Sequence, residues 1–210
     1  MKGTISSSKT YRYFTHGSPE KAEHLVYVLH GYGQLAEFFI RKFHHLSDTY
    51  FIVAPEGPHR FYLSGSSGRV GASWMTKEER ETDIQDNIHW LDKLDQEINS
   101  KYSFKKKHLV GFSQGGATAV RWQYLGNFKA DQLVIWASVF PPDLDLKEEI
   151  MATDSSQNYF VVGSEDEFYS KEKQEELVTF YKSKAFITAI YEGKHDIEPK
   201  TLKQIIEDCR

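Results

Sequence analysis

A serine flanked by glycines, Gly111-Phe112-Ser113-Gln114-Gly115-Gly116, stands between an apolar run and an amphipathic segment. In that setting a G-x-S-x-G sequence makes a sharp strand-to-helix turn that lifts the serine Oγ out of the sheet. A hydroxyl is a weak nucleophile at neutral pH and needs a base within hydrogen-bond reach. Where a serine sits on such a turn, the base follows it in the chain. Of the nine histidines only His195 lies beyond Ser113. It occurs in Tyr191-Glu192-Gly193-Lys194-His195-Asp196, after an apolar run, where Gly193 lets the imidazole turn back over the sheet edge. The bland alternatives are a chance serine in a glycine-rich turn and a surface histidine. Chain order and strand position agree independently, which favours chemistry.

An orienting carboxylate should lie between nucleophile and base, just past another strand end. Asp166 in Val162-Gly163-Ser164-Glu165-Asp166-Glu167-Phe168 meets that condition and is preferred. Glu165 and Glu167 beside it, and Asp143 and Asp145 after the preceding strand, are rivals, since the chemistry needs only one carboxylate on the imidazole. An imidazole must be neutral to accept a proton, so turnover is expected to rise through mildly acidic pH. The oxyanion of acyl transfer needs preorganised backbone donors. The N–H of Gln114, directly after the serine, and that of Tyr32 in His30-Gly31-Tyr32-Gly33 are the candidates, with His30 read as structural.

The elements that must position these groups alternate. Strands are expected at Leu25 to Leu29, Phe51 to Ala54, Leu109 to Phe112, Leu133 to Ala137, Tyr159 to Val162 and Phe186 to Tyr191, with an edge strand near Tyr11 to Phe14. Helical spacing recurs at Leu35, Phe38, Phe39, Phe43 and Leu46, and at Ile84, Ile88, Leu91, Leu94 and Ile98. Thr82 with Gln85 suggests a capping box for the latter. The Ser64 to Gly71 stretch reads as a long flexible loop without the Gly-Lys-Ser/Thr ending of a phosphate loop. This predicts an α/β fold with a mostly parallel sheet and helices on both faces, in which reactive groups gather at the C-terminal strand ends.

With His-Gly-x-Gly, Gly-Phe-Ser-Gln-Gly-Gly, Gly-x-x-Asp and Gly-x-His in this order, the chain resembles the phospholipase/carboxylesterase family that includes acyl-protein thioesterases. The likeness covers roughly Leu25 to Asp196. It implies an α/β-hydrolase fold and hydrolysis of esters or thioesters without metal or cofactor. It also implies Ser113, Asp166 and His195 as triad and Tyr32 and Gln114 as oxyanion donors. Ser73-Trp74 looks like the family's Ser-Trp segment bordering the acyl site, with Trp74 as a core or loop anchor the alternative. Gln34 in place of an aspartate, and Met75-Thr76 in place of an aromatic and acidic pair, depart from the family pattern and bear on the substrate.

Composition bounds the rest. A chain of 210 residues, 40% hydrophobic and 14% aromatic, suits one domain over residues 1–210 with little or no lid. A net charge of -4 leaves no footprint for nucleic acid. The single cysteine, Cys209, excludes an internal disulfide and fits a reducing, cytoplasmic setting. No apolar stretch in Met1 to Phe14 suggests a signal peptide, and Leu133 to Phe140 falls far short of the roughly 20 residues of a membrane helix, so no stable membrane association is expected. Adjacent His44 and His45 project differently from a helix and suggest no metal. Trp74, Phe140 and Phe168 are the expected apolar walls for short to medium acyl groups of a small-molecule substrate. Two rivals remain. Gly31-Tyr32-Gly33-Gln34-Leu35-Ala36 followed by Glu56 fits a dinucleotide fingerprint and an oxidoreductase, and a hydrolase fold can also serve binding without catalysis.

Overall fold

The computed structural model describes residues 2–144 and 157–208, so Asp145 and Cys209 lie outside the described residues. The apolar runs form the strands β2 (His24–Leu29), β3 (Tyr50–Pro55), β6 (Lys106–Phe112), β7 (Gln132–Trp136) and β8 (Gln157–Gly163). Their near-continuous burial is what a parallel sheet covered on both faces requires. With β1 (Tyr13–His16) and β9 (Ile187–Tyr191) at the edges, the seven strands run in the order β1-β3-β2-β6-β7-β8-β9. Only β1 pairs antiparallel.

Alternate residues point to opposite faces, so β2 feeds two cores. Leu25, Tyr27 and Leu29 face α2 (Arg80–Asn99), α3 (Gln114–Leu125) and α4 (Lys171–Ser183), through residues such as Leu91, Trp122 and Tyr181. Val26 and Val28 face α1 (Ala36–Phe39), the 3-10 turn Ile40–Phe43 and α5 (Pro199–Asp208), through Phe39, Phe43 and Leu202. Each fully buried large side chain contributes about 1.5–3 kcal/mol. Leu109→Ala should therefore destabilise by about 2–5 kcal/mol.

Three local expectations are corrected. The helix foreseen across Leu35 to Leu46 is one short turn, α1, continued as a 3-10 turn. Adjacent Phe38 and Phe39 project in different directions, leaving Phe38 53% exposed while Phe39 is buried. The capping box is not formed: α2 starts at Arg80, entered through Glu79 with φ 54°. The Ser64 to Gly71 loop closes a hairpin of β4 (His59–Tyr62) and β5 (Val70–Ser73), so its last two residues are strand.

A polar chain crosses the opposite end of the sheet. Gln132 Nε2 donates to the Ile205 carbonyl at 2.7 Å, so its Oε1 accepts from His108 Nδ1 at 2.9 Å. His108 Nε2 is then left to accept from His24 Nδ1 at 2.9 Å. Burial pushes His108 down to about 4 and lowers His24 as well.

Candidate active site

The register His24↔Lys106 through Leu29↔Gly111 brings the ends of β2 and β6 level, so the loops that follow them meet. Between β6 and α3 the chain turns at Ser113 with φ 52° and ψ -121°. A non-glycine residue there is strained, and such strain persists only where the surroundings over-determine it. Those surroundings are visible: Ser113 N–H donates to the Trp136 carbonyl at 2.8 Å, and Gly116 N–H donates back to the Ser113 carbonyl at 2.9 Å. A Cβ on Gly115 would stand 2.3 Å from the Leu29 carbonyl oxygen, so only glycine lets the start of α3 pack so closely on the end of β2.

The loops after β8 and β9 are zipped together. Ser164 N–H donates to the Tyr191 carbonyl and Glu165 N–H to the Gly193 carbonyl, both at 2.8 Å. A Cβ on Gly163 would lie 2.3 Å from the Gly193 oxygen. His195 Nδ1 then meets Asp166 Oδ2 at 2.7 Å, and Asp166 Oδ1 accepts the Phe168 N–H at 3.0 Å. A carboxylate accepts, so Nδ1 carries the proton and the Nε2 lone pair is left free. The Asp166 side chain has no exposed surface and that of His195 is 10% exposed.

Of the rival acids, Glu165 and Glu167 are exposed. Glu167 reaches only the backbone N–H of His195, at 3.4 Å. Asp143 is held by Arg121 at 2.6 and 2.9 Å and by Arg80, and the Arg121 hydrogen bond lowers its pKa.

His195 rests on Phe112, the residue before the serine, with ring centroids 4.8 Å apart, and Phe168 covers it at 4.3 Å. Opposite, a Cβ on Gly31 would stand 3.2 Å from Ser113 Cβ, so the His30-Gly31-Tyr32-Gly33 loop passes directly beside the serine. The Tyr32 N–H makes no hydrogen bond among the described residues. That of Gln114 opens α3, where backbone donors have no intrahelical acceptor.

Sequence reasoning missed the residues that hold these loops. The Gln114 side chain accepts from Trp74 N–H at 3.0 Å and donates to the Met75 carbonyl at 2.8 Å, tying the serine turn to the segment after β5. The Tyr191 hydroxyl lies between the Lys194 and Asp196 carbonyls, bracketing His195. His30 donates from Nδ1 to the Gly31 carbonyl at 2.8 Å and accepts the Gly57 N–H at Nε2 at 2.9 Å. Burial lowers it to about 4, and neutral His30 shapes the loop. This is the structural role read for His30 from the sequence.

The expected acyl walls separate. Phe168 is 70% exposed over His195. Phe140 is half-buried and packs on Phe180 and Tyr181. Trp74 follows the loop-anchor alternative: it is fully buried, stacks on Trp90 and donates from Nε1 to the His30 carbonyl at 2.8 Å, which supports the loop. A cavity of about 570 Å³ opens instead beside Gly33 and Gln34. Glu56, the acid of the dinucleotide reading, is 2% exposed and paired with Arg12 at 2.6 and 3.0 Å, which withdraws it from a ribose hydroxyl. No metal-binding cluster occurs among the described residues, and no described helix is long and apolar enough to cross a membrane.

Residues 21–206 match the family described as serine hydrolase (FSH1). No curated protein matches the sequence. Among solved structures, a carboxylesterase from Mesorhizobium loti is 16% identical with a TM-score of 0.72, the alignment covering 94% of each chain. Zea mays acyl-protein thioesterase 2 is 17% identical with a TM-score of 0.66, over 94% of this chain and 96% of that one. A phospholipase/carboxylesterase from Dyadobacter fermentans is 18% identical with a TM-score of 0.65, over 97% and 100%. At these identities the likeness is one of fold, and the fold is that of α/β-hydrolases.

Proposed function

The chain belongs to the FSH1 family of serine hydrolases, and from that premise we propose that it cleaves carboxylic esters or thioesters of short to medium acyl groups through an acyl-enzyme on Ser113. The observation that carries this reading is the strained Ser113 turn, directly after Phe112 on which the His195 ring rests at 4.8 Å, with His195 Nδ1 bound at 2.7 Å by a buried carboxylate.

His195 Nε2 takes the Ser113 proton as Oγ attacks the carbonyl carbon. Asp166 holds the Nδ1 proton in place and stabilises the imidazolium that results. Negative charge on the former carbonyl oxygen is met by the N–H groups of Tyr32 and Gln114, aided by the N-terminus of α3. Collapse breaks the bond to the leaving group, which departs with the proton from Nε2. Water, deprotonated by the same nitrogen, then attacks the acyl carbon and releases the acid and free Ser113. Neither metal nor cofactor enters these steps.

The test is hydrolysis of p-nitrophenyl acetate by Ser113→Ala. Loss of the nucleophile should reduce turnover by about 10⁴ to 10⁶ with the fold intact. Full activity in the variant would end the proposal. A folded parent protein inactive on every ester tried would favour a binding role.

A further inference from the structure

The cavity of about 570 Å³ is bounded by the loop after β2 and by the β4–β5 hairpin. Its lining starts at Gly33, next to Tyr32. Phe39, in its floor, stacks on Phe112 at 6.0 Å. Lys42, at its side, pairs at 2.6 Å with Asp196, the residue after His195. The cavity thus adjoins the loop carrying one oxyanion donor at Gly33, and is tied through Lys42 to the loop carrying the base and through Phe39 to the residue before the serine.

Its chemistry is divided. Leu35, Phe39, Leu63 and Val70 present hydrocarbon, and Phe38 adds a half-exposed ring at the mouth. No carboxylate is among the lining residues, whereas Lys42 and Arg69 are, and the Arg41 guanidinium stands 4.8 Å from the Phe38 ring. Asp196 is the one acid paired with these cations among the described residues. Arg69 makes no side-chain hydrogen bond or ion pair there, although its carbonyl accepts the Leu63 N–H at 2.8 Å and so fixes its backbone at the hairpin neck. In a chain of net charge -4, an apolar slot with a positive rim has a complement of definite type.

We infer that the substrate of this hydrolase carries a carboxylate at the end of an apolar chain, the chain lying against Leu35, Phe39 and Val70 and the carboxylate meeting Arg69 and Lys42. This rests on the hydrolase reading above and names its substrate class. Guanidinium binds a carboxylate through paired N–H donors. The apolar walls exclude water from the chain between, so the slot discriminates against a neutral tail of equal length.

The experiment compares kcat/KM for two pairs of esters. In one the charge is on the acyl side, p-nitrophenyl hydrogen suberate against the p-nitrophenyl ester of suberic monoamide. In the other it is on the alcohol side, the acetate of 8-hydroxyoctanoate against that of its amide. The carboxylate should be preferred about tenfold in at least one pair. That ratio should shrink at high salt, where exposed charges are screened, and fall to about one in Arg69→Gln. Ratios near one in both pairs, or a preference unchanged in Arg69→Gln, would overturn the inference while leaving the hydrolase standing. Failure to cleave any of the four esters while p-nitrophenyl acetate is cleaved would overturn the inference alone, and failure on p-nitrophenyl acetate as well would overturn the hydrolase reading with it.

Discussion

Taking the protein from pH 7 to pH 5 should weaken the fold by about 4 kcal/mol, and the responsible groups are His30 and His108. Both are buried, with every ring nitrogen engaged in the neutral form, and burial lowers each from an ordinary 6.5 to about 4. A histidine whose folded pKa is depressed binds its proton more readily when unfolded. Its stabilisation is thus present above about pH 6.5, declines as pH falls, and is fully lost below about pH 4. The complete loss is about 3 kcal/mol per residue, of which about 2 is reached at pH 5. Against a typical total of about 5–15 kcal/mol this is a large share. Urea denaturation at the two pH values, followed by tryptophan fluorescence, measures it. In His108→Gln the difference between pH 7 and pH 5 should fall to about half. A denaturation free energy that is flat or rises toward pH 5 would refute the reasoning.

Asp166→Asn should reduce kcat by about 10³ to 10⁴ in steady-state assays, whereas Glu165→Gln and Glu167→Gln should change it by less than about threefold. Damage from Glu165→Gln instead would move the acid assignment. Gln114→Ala leaves the Trp74 N–H without a partner and the Met75 carbonyl with the Ser73 hydroxyl alone, so a destabilisation of about 1–3 kcal/mol in urea and a lower kcat are expected. Along p-nitrophenyl esters from acetate to palmitate, kcat/KM should climb by up to about 0.8 kcal/mol per methylene until the cavity fills, then level or fall. A steady rise to palmitate with activation at a lipid interface would point to a lipase.

Strand positions were legible because a parallel strand covered on both faces must be apolar throughout, and β2, β3, β6, β7 and β8 are. The places of Ser113, Asp166 and His195 were legible because each follows a strand whose end is marked by an abrupt change of composition. The β4–β5 hairpin was not, because alternation over His59–Tyr62 is short and the glycines and serines between the strands read as loop. Gln114 and Tyr191 were missed as supports because their partners lie far along the chain or on backbone carbonyls. Trp74 was placed in the pocket by resemblance, whereas its indole N–H and flat faces are all engaged inside the core. The cavity beside Leu35, Phe38 and Phe39 was hidden because their helical spacing reads as one buried face of a longer helix, whereas the helix is a single turn.

Covalent labelling of the serine tests the central claim most directly. Incubated with a fluorophosphonate and analysed by peptide mass spectrometry, the protein should carry one adduct, on Ser113, formed much more slowly in His195→Gln because the hydroxyl then lacks its base. An unmodified Ser113, or an adduct on another residue with Ser113 intact, would contradict the account.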